Sequence, residues 1–537
     1  MNRFLTILII VLFANTSFSQ NNNYSKLWTE VENFEMKGLP KSALKLVETI
    51  EAKAGDENNA PQKIKALLFK SKFILTLEEA AQLNIVNAFK TEIKNSAAPT
   101  KNVLQNILAT LYWQYFQQNR WKFYNRSTTN EKVDPEDFRT WDLQTLFDEV
   151  HRHFEHSLEN KLILQQTKLE AYSALLQEQK DSKIYRPTLY DFLAHNALLF
   201  YNTTENTITK PAYKFIIDDA KYLAKSEEFA KLTLASKDTS SLELNALKLY
   251  QALIKFHLKD KTPHALAAVN ISRLDYVKEH LIIQNNEALL IDTYSAESAR
   301  VASHEVSGLY DYEIATIYAN QANSYSPEAH IEMQWKNKEA LAICDTVISK
   351  FPKSNAADKC KGLKARIVNP SLSILTESLL PVQTHGRLLV THKNLDQVCL
   401  SVYKLTEKQY EKYAKIYRKA EREAFIATLT ASKNWDSALN NEKDYQFHRT
   451  EIVMPPLENG RYLITGITND LDQNFLTFSN VQITNIAILE YDYEDKKHLQ
   501  IINRTHGKPI ENAKVRLEYT YDNEVRETVN KTTDSER

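Results

Sequence analysis

His151, His153, Glu155 and His156 come nearest in this chain to the spacing of a metal site. Zinc needs two or three ligands converging on one point, usually from i, i+4 pairs on a helix. His151 and Glu155 have that spacing, and His153 and His156 are three apart. Leu143, Phe147, Val150, Phe154 and Leu158 mark the buried face of the same helix and leave the histidines at its borders. On a helical wheel His151 and His153 point about 200° apart and cannot share an ion. They read as ordinary helix-face histidines, so no metal and no cofactor is expected. The segment from Ser303 to Gly308 starts like a His-Glu-x-x-His protease motif, but Gly308 stands where the second histidine belongs. The sequence has no Gly-x-Ser-x-Gly elbow, no phosphate-binding glycine loop and no dinucleotide fingerprint. No catalytic residue is nominated, and an enzyme is not expected.

Residues 112–126 interleave aromatic and basic side chains, a pattern that can stack bases between arginines. However, Tyr112, Tyr115 and Phe116 extend a helical stripe begun by Leu104, Ile107, Leu108 and Leu111, and Trp121, Phe123 and Tyr124 are expected to anchor a helix corner. The 67 Lys and Arg residues against 68 Asp and Glu argue against a nucleic-acid partner. Cys344, Cys360 and Cys399 form no disulfide framework. One bridge between Cys344 and Cys360 is open, while three buried thiols acting as small apolar residues is the simpler reading. The charged insertion 406–425 reads as a solvated helix or, more sharply, a partner-docking one.

The elements that would carry these residues change character at Asn369-Pro370. None of the 8 glycines lies between Gly55 and Gly308, which favours stacked helices over any fold needing tight glycine turns. Trp28, Val31, Phe34 and Met36, then the Gly38-Leu39-Pro40 turn, then Ala43, Leu44, Val47 and Ile50 make a helix–turn–helix unit of tetratricopeptide type. A second copy has Trp335, Ala340, Leu341, Cys344, Val347 and Ile348, the Phe351–Ser354 turn, and Ala356, Ala357, Cys360, Leu363 and Ile367. Between them Pro187 is expected to open a helix with Leu189, Phe192, Leu193, Ala197 and Phe200, and Ala246, Leu249, Tyr250, Leu253 and Ile254 mark another. Residues 24–367 therefore read as an irregular right-handed array of helix pairs. Beyond Pro370, short alternating runs at 386–394, 397–405, 460–470, 475–484, 486–494, 498–504 and 513–523 predict antiparallel β-sandwiches, one over 370–484 and the start of another over 485–537. The last stops inside a module, and a longer protein is expected.

A chain of 537 residues implies roughly three or four domain-sized units. Residues 1–19 read as an export signal: Arg3, an apolar run from Phe4 to Phe13, then cleavage between Ser19 and Gln20. That run, at about ten residues, is half of what spans a bilayer. We expect a soluble product, periplasmic or extracellular, with no membrane span after signal removal.

Three segments carry a family resemblance. Residues 388–405 pair an extended strand and Lys393-Asn394 with a strand ending in Tyr403-Lys404-Leu405. Residues 455–470 hold a proline-bounded strand with Gly460 and Tyr462. Residues 503–519 show Gly-x-Pro-x-x-x-Ala-x-Val at Gly507, Pro509, Ala513 and Val515. In this order they resemble the first macroglobulin-like domains of the large bacterial α2-macroglobulin family. Segments 138–158 and 190–201 look like parts of the helical region that precedes those domains in one subgroup. The resemblance implies inhibition of endopeptidases by entrapment after cleavage of a bait segment, with proteases as partners. Some members add a Cys-x-Glu-Gln thioester, but none of the three cysteines here begins that motif. This chain alone is therefore not expected to trap a protease. The competing reading is a periplasmic scaffold that binds proteins through its helices and uses sandwiches as spacers.

Overall fold

A computed structural model describes residues 22–79, 81–126, 132–203, 205, 213–468, 475–493, 496–521 and 524–534. The export signal, with Ser19 and Gln20, lies outside the described residues. The chain divides into two compact units, 1–310 and 311–537.

The first unit is helical. Helices α1 (Asn22–Met36), α2 (Pro40–Asp56) and α3 (Ala60–Leu77) share one apolar cluster built from Trp28, Val31, Val47, Ile50, Phe69 and Phe73. Gly38, at φ +68°, ends α1; Leu39 N–H reaches back to the Phe34 carbonyl at 2.9 Å. Only glycine enters this left-handed position without steric cost. Met36, expected in the stripe, is 78% exposed. Next come α4 (Gln82–Asn95), α5 (Thr100–Gln118), α6 (Arg120–Tyr124), α7 (Leu143–Ser157), α8 (Lys161–Gln166), α9 (Ser182–Tyr185) and α10 (Leu189–Tyr201). After them follow α11 (Ser226–Phe229), α12 (Leu242–His257), α13 (His264–His280) and α14 (Glu287–Arg300), and then α15 (Ser307–Ala322), most of which belongs to the second unit. The glycine-free stretch makes left-handed turns with Asn160, Asp181 and Asn285, whose short polar side chains tolerate that region. Pro187 does not open α10. Thr188 caps it, in a box closed by Asp191, and the helix starts at Leu189. Between residues 213 and 241 the helical period gives way to an extended strap with only short helical turns.

The second unit continues with a helix pair, α16 (Lys336–Lys350) and α17 (Asn355–Val368), packed together through Ala340, Cys344, Ala356, Ala357 and Cys360. Trp335, placed in the stripe by its spacing, instead precedes α16 and is 44% exposed. The strands are β1 (Ser371–Thr376), β2 (Leu379–Leu380), β3 (Gly386–Lys393), β4 (Gln397–Leu405), β5 (Lys433–Ala438), β6 (His448–Met454), β7 (Gly460–Thr468) and β8 (Phe475–Ile483). They form two sheets, in orders β1-β3-β6 and β2-β8-β7-β4-β5. All neighbours are antiparallel except β2 and β8. Leu388, Val390 and Ile452 from one sheet share a buried cluster with Val398, Leu400, Ile464 and Val481 from the other. Register pairs Leu388 with Ile452 and Val402 with Ile464.

The insertion 406–425 is not one helix. It folds as α18 (Glu407–Ala414) and α19 (Lys419–Ile426), with the Ile416 carbonyl accepting from Arg422 Nε at 2.7 Å. Tyr413 and Phe425 would sit about 120° apart on a straight helix. The break lets both pack with Leu405 and Leu463 on the five-stranded sheet. The insertion is thus neither a free solvated helix nor a free docking one. Two hairpins complete the unit: β9 (Ile486–Tyr493) with β10 (Lys496–Asn503), and β11 (Lys514–Tyr521) with β12 (Glu524–Thr532).

The helix pair and the two-sheet module are tied at both ends. Asn394, left-handed at φ +58°, donates from Nδ2 to the Ile367 and Val368 carbonyls at 3.1 and 2.9 Å, capping the end of α17. Near the start of α16, Asn337 Nδ2 donates to the Tyr445 carbonyl at 3.0 Å. Gln334 Nε2 reaches Asp444 at 3.1 Å, and Gln446 Nε2 returns to the Gln334 carbonyl at 3.1 Å.

Candidate functional site

The histidines of α7 have separate partners. Asp142 caps the helix by accepting from Thr145 N–H at 3.0 Å, and Leu146, Phe147, Val150 and Phe154 bury its apolar face. His151 Nδ1 meets the Tyr201 hydroxyl at 2.8 Å, and burial pushes its pKa down. His153 is buried against Gln105 and lies 3.3 Å from Glu149; burial, reinforced by Arg152, lowers its pKa despite that carboxylate. Burial alone would raise the Glu149 carboxyl, but hydrogen bonds from His153 and Arg152 hold it well below the usual range. His156 turns outward to Glu159 at 2.6 Å. Among the described residues no group of three or more His, Cys, Asp or Glu could hold a metal ion.

The aromatic run 112–126 is largely consumed by the core. Trp113 packs on Phe116, Phe147 and Phe200 with ring centroids 5.4, 5.7 and 5.2 Å away, and Phe123 joins Phe116 at 5.5 Å. Trp121 does not anchor the corner as expected and is 66% exposed, whereas Tyr124, 43% exposed, packs edge-on against Phe116 with ring centroids 6.3 Å apart. The buried rings of the run pack on one another.

Two buried polar clusters went unnoticed in the sequence. Asp191, besides closing the α10 cap, meets His257 Nε2 of α12 at 2.6 Å, and His257 Nδ1 meets Asp260 at 2.7 Å. Burial opposes charge on His257, but the two carboxylates overcome it and raise its pKa. The neighbouring His195, half-buried and close to Arg186, is pushed down to about 4 by desolvation and that charge. Both side chains of the Asp191–His257 pair are essentially sealed from solvent, and the pair joins α10 to α12. The capping-box spacing of Thr188 and Asp191 was the one readable signal.

The second cluster clamps the 213–241 strap. Arg273 of α13 donates to the Tyr222 and Ala224 carbonyls at 2.6 and 2.8 Å, with its guanidinium 4.4 Å from the Phe229 ring centre. Burial pushes Arg273 down to about 10, opposed by the nearby Glu297. Glu297 of α14 accepts from Ser226 N–H at 2.6 Å, Thr293 donates to the Leu223 carbonyl at 2.9 Å, and Gln251 of α12 to those of Phe229 and Leu232. Strap carbonyls that lack helical partners are thereby satisfied by side chains.

A cleft of about 290 Å³ lies among Glu51, Asn58, Lys63, Glu92, Asn95 and Thr100, but its lysine is already paired with Glu92 at 2.6 Å. The family-signature residues lie in the strand-rich unit. Gly460 opens β7, and the buried Tyr462 donates its hydroxyl to the Glu458 carbonyl at 3.0 Å. Gly507, at φ +70°, turns the chain after β10, its N–H donating to the Asn503 carbonyl at 2.8 Å. Pro509 then bridges Ile502. Val515 on β11 and Ala513 just before it are half-buried.

No protein-family model matches the chain, and no curated protein sequence matches it. Among solved structures, a fragment of Escherichia coli alpha-2-macroglobulin spanning domains MG0-NIE-MG1 is similar at 14% identity over 31% of this chain and 55% of that one, with a TM-score of 0.24. A fragment of the same protein spanning NIE-MG1 gives 14% identity, 31% and 84% coverage, and a TM-score of 0.23. A CARDB domain from Pyrococcus furiosus gives 14% identity, 21% and 92% coverage, and a TM-score of 0.14. This chain thus spans little more than half of the first fragment, and likenesses at these TM-scores establish no shared architecture. No helix among the described residues is long and apolar enough to cross a membrane.

Proposed function

We propose that the chain is the N-terminal part of an exported α2-macroglobulin-like inhibitor of endopeptidases, in which a tetratricopeptide-like helical scaffold precedes macroglobulin-type β-sandwiches. The observation that carries this reading is the order of modules after Val368. Two sheets close on one apolar core, and the left-handed Gly507 with Pro509 then turns the chain into a second strand module. Gly460 at the start of β7 and the Gly507–Pro509 turn after β10 support this reading. None of the three cysteines here begins a thioester motif, so entrapment in this reading uses no thioester from these 537 residues.

Entrapment has a distinctive readout. The full gene product is mixed with an endopeptidase, and cleavage of a protein substrate is compared with cleavage of a small chromogenic peptide. Hydrolysis of the protein substrate should fall while peptide hydrolysis persists. The 537-residue chain alone should change neither. Equal loss on both substrates, or no loss on either with the full product, overturns the reading.

A further inference from the structure

Cys344 and Cys360 are free thiols, fully buried on two consecutive helices that pack against one another. Ala340 precedes Cys344 by one helical turn, and Ala356 precedes Cys360 by one turn, with Ala357 beside it. These small residues let α16 and α17 approach closely enough for the thiols to meet. A disulfide requires that proximity before any other condition, because its geometry tolerates only a narrow range of backbone separations. Cys399, half-buried on β4, lies instead beside Asp436.

We propose that Cys344 and Cys360 are a redox site, a paired dithiol that closes to an intrachain disulfide by exchange with a low-molecular-weight disulfide. One of the two thiols loses its proton, and its thiolate attacks one sulfur of the oxidant, forms a mixed disulfide and releases one thiolate. The other cysteine then gives up its proton and attacks the protein sulfur of that mixed disulfide, releasing the second thiolate. Two protein thiols are oxidised, one oxidant disulfide is reduced to two thiols, and the two protons leave with them.

Closure would fix the two helices that hold the two-sheet module, α16 through Asn337 and α17 through the Asn394 cap. The full burial of both sulfurs sets the kinetics: exchange requires the helix pair to open, or takes place during folding. The dithiol chemistry is the same in any compartment; only the supply of oxidant differs.

The test counts thiols. The 537-residue chain is refolded in glutathione buffers from fully reduced to fully oxidised, then unfolded in guanidinium with a maleimide of known mass. The reduced chain should take up three maleimides, one per cysteine. The oxidised chain should lose two of the three, retaining the adduct on Cys399, and a non-reducing digest should contain the Cys344 and Cys360 peptides cross-linked. Cys344→Ser and Cys360→Ser should each keep both remaining thiols in every buffer. Three adducts throughout, glutathione on either cysteine in place of a bridge, or a bridge that includes Cys399 overturns the proposal.

Discussion

Arg273 in the helical unit and Leu388 in the strand-rich unit are both completely buried. Arg273 sits where the helical period has failed, and its guanidinium holds the bare carbonyls of the strap at Tyr222 and Ala224. Leu388 sits where the β alternation is intact, packed with Val390, Val398 and Leu400 and needing no polar partner. Regular strands satisfy their own backbone and can be buried with apolar atoms alone. An irregular segment inside a helical array cannot, so side chains from three helices must supply the missing donors and acceptors. The helical unit therefore buries Arg273 where its sequence is least repeat-like.

Removing the clamp should have the largest effect. Arg273→Ala strips two carbonyls of their donors and opens a cavity, and it should destabilise the helical unit by about 3–5 kcal/mol, in the range for breaking a buried charged contact. Urea unfolding followed by far-UV circular dichroism measures it; a loss under about 1 kcal/mol would show that the strap holds itself. In the other unit, Leu388→Ala should cost about 3 kcal/mol through lost burial and a residual cavity. If it costs less than a surface substitution, the shared core is not what unites the two sheets.

A smaller effect should come from His257. Its pKa is raised in the folded state, so its contribution is complete below the unfolded value of about 6.5 and is lost as pH rises through the folded pKa. Stability measured on either side of neutrality should fall with rising pH more in the parent than in His257→Gln. Parallel profiles would mean the Asp191–His257 pair is not charged in the folded chain. The smallest effect is expected at Ile488 on β9, which is 60% exposed; Ile488→Ser should shift stability by no more than about 0.5 kcal/mol. A large loss there would mean that the hairpins share the buried core of the two-sheet module.

The helices were largely legible because apolar spacing survives wherever a helix packs on one face, as in α12, where Leu249, Tyr250, Leu253 and Ile254 are all buried. Left-handed turns were missed where Asn160 and Asn285 took the role sought in glycine. Strands β5 and β6 escaped notice because both lie at sheet edges and β5 has no fully buried residue, so their alternation is faint. The polar clusters were invisible for a different reason. Asp191 and His257 are 66 positions apart, and only the fold brings them together.

The Asn394 cap changes the mechanical meaning of the junction at Asn369-Pro370. A switch from helix to strand looks on paper like a hinge, yet here the strand side reaches back over it and grips the final carbonyls of the helix. Tension applied along β1 would pass into α17 through that grip as well as through the main chain. The place where the sequence changes character is therefore a splice, stiffer than the peptide that crosses it.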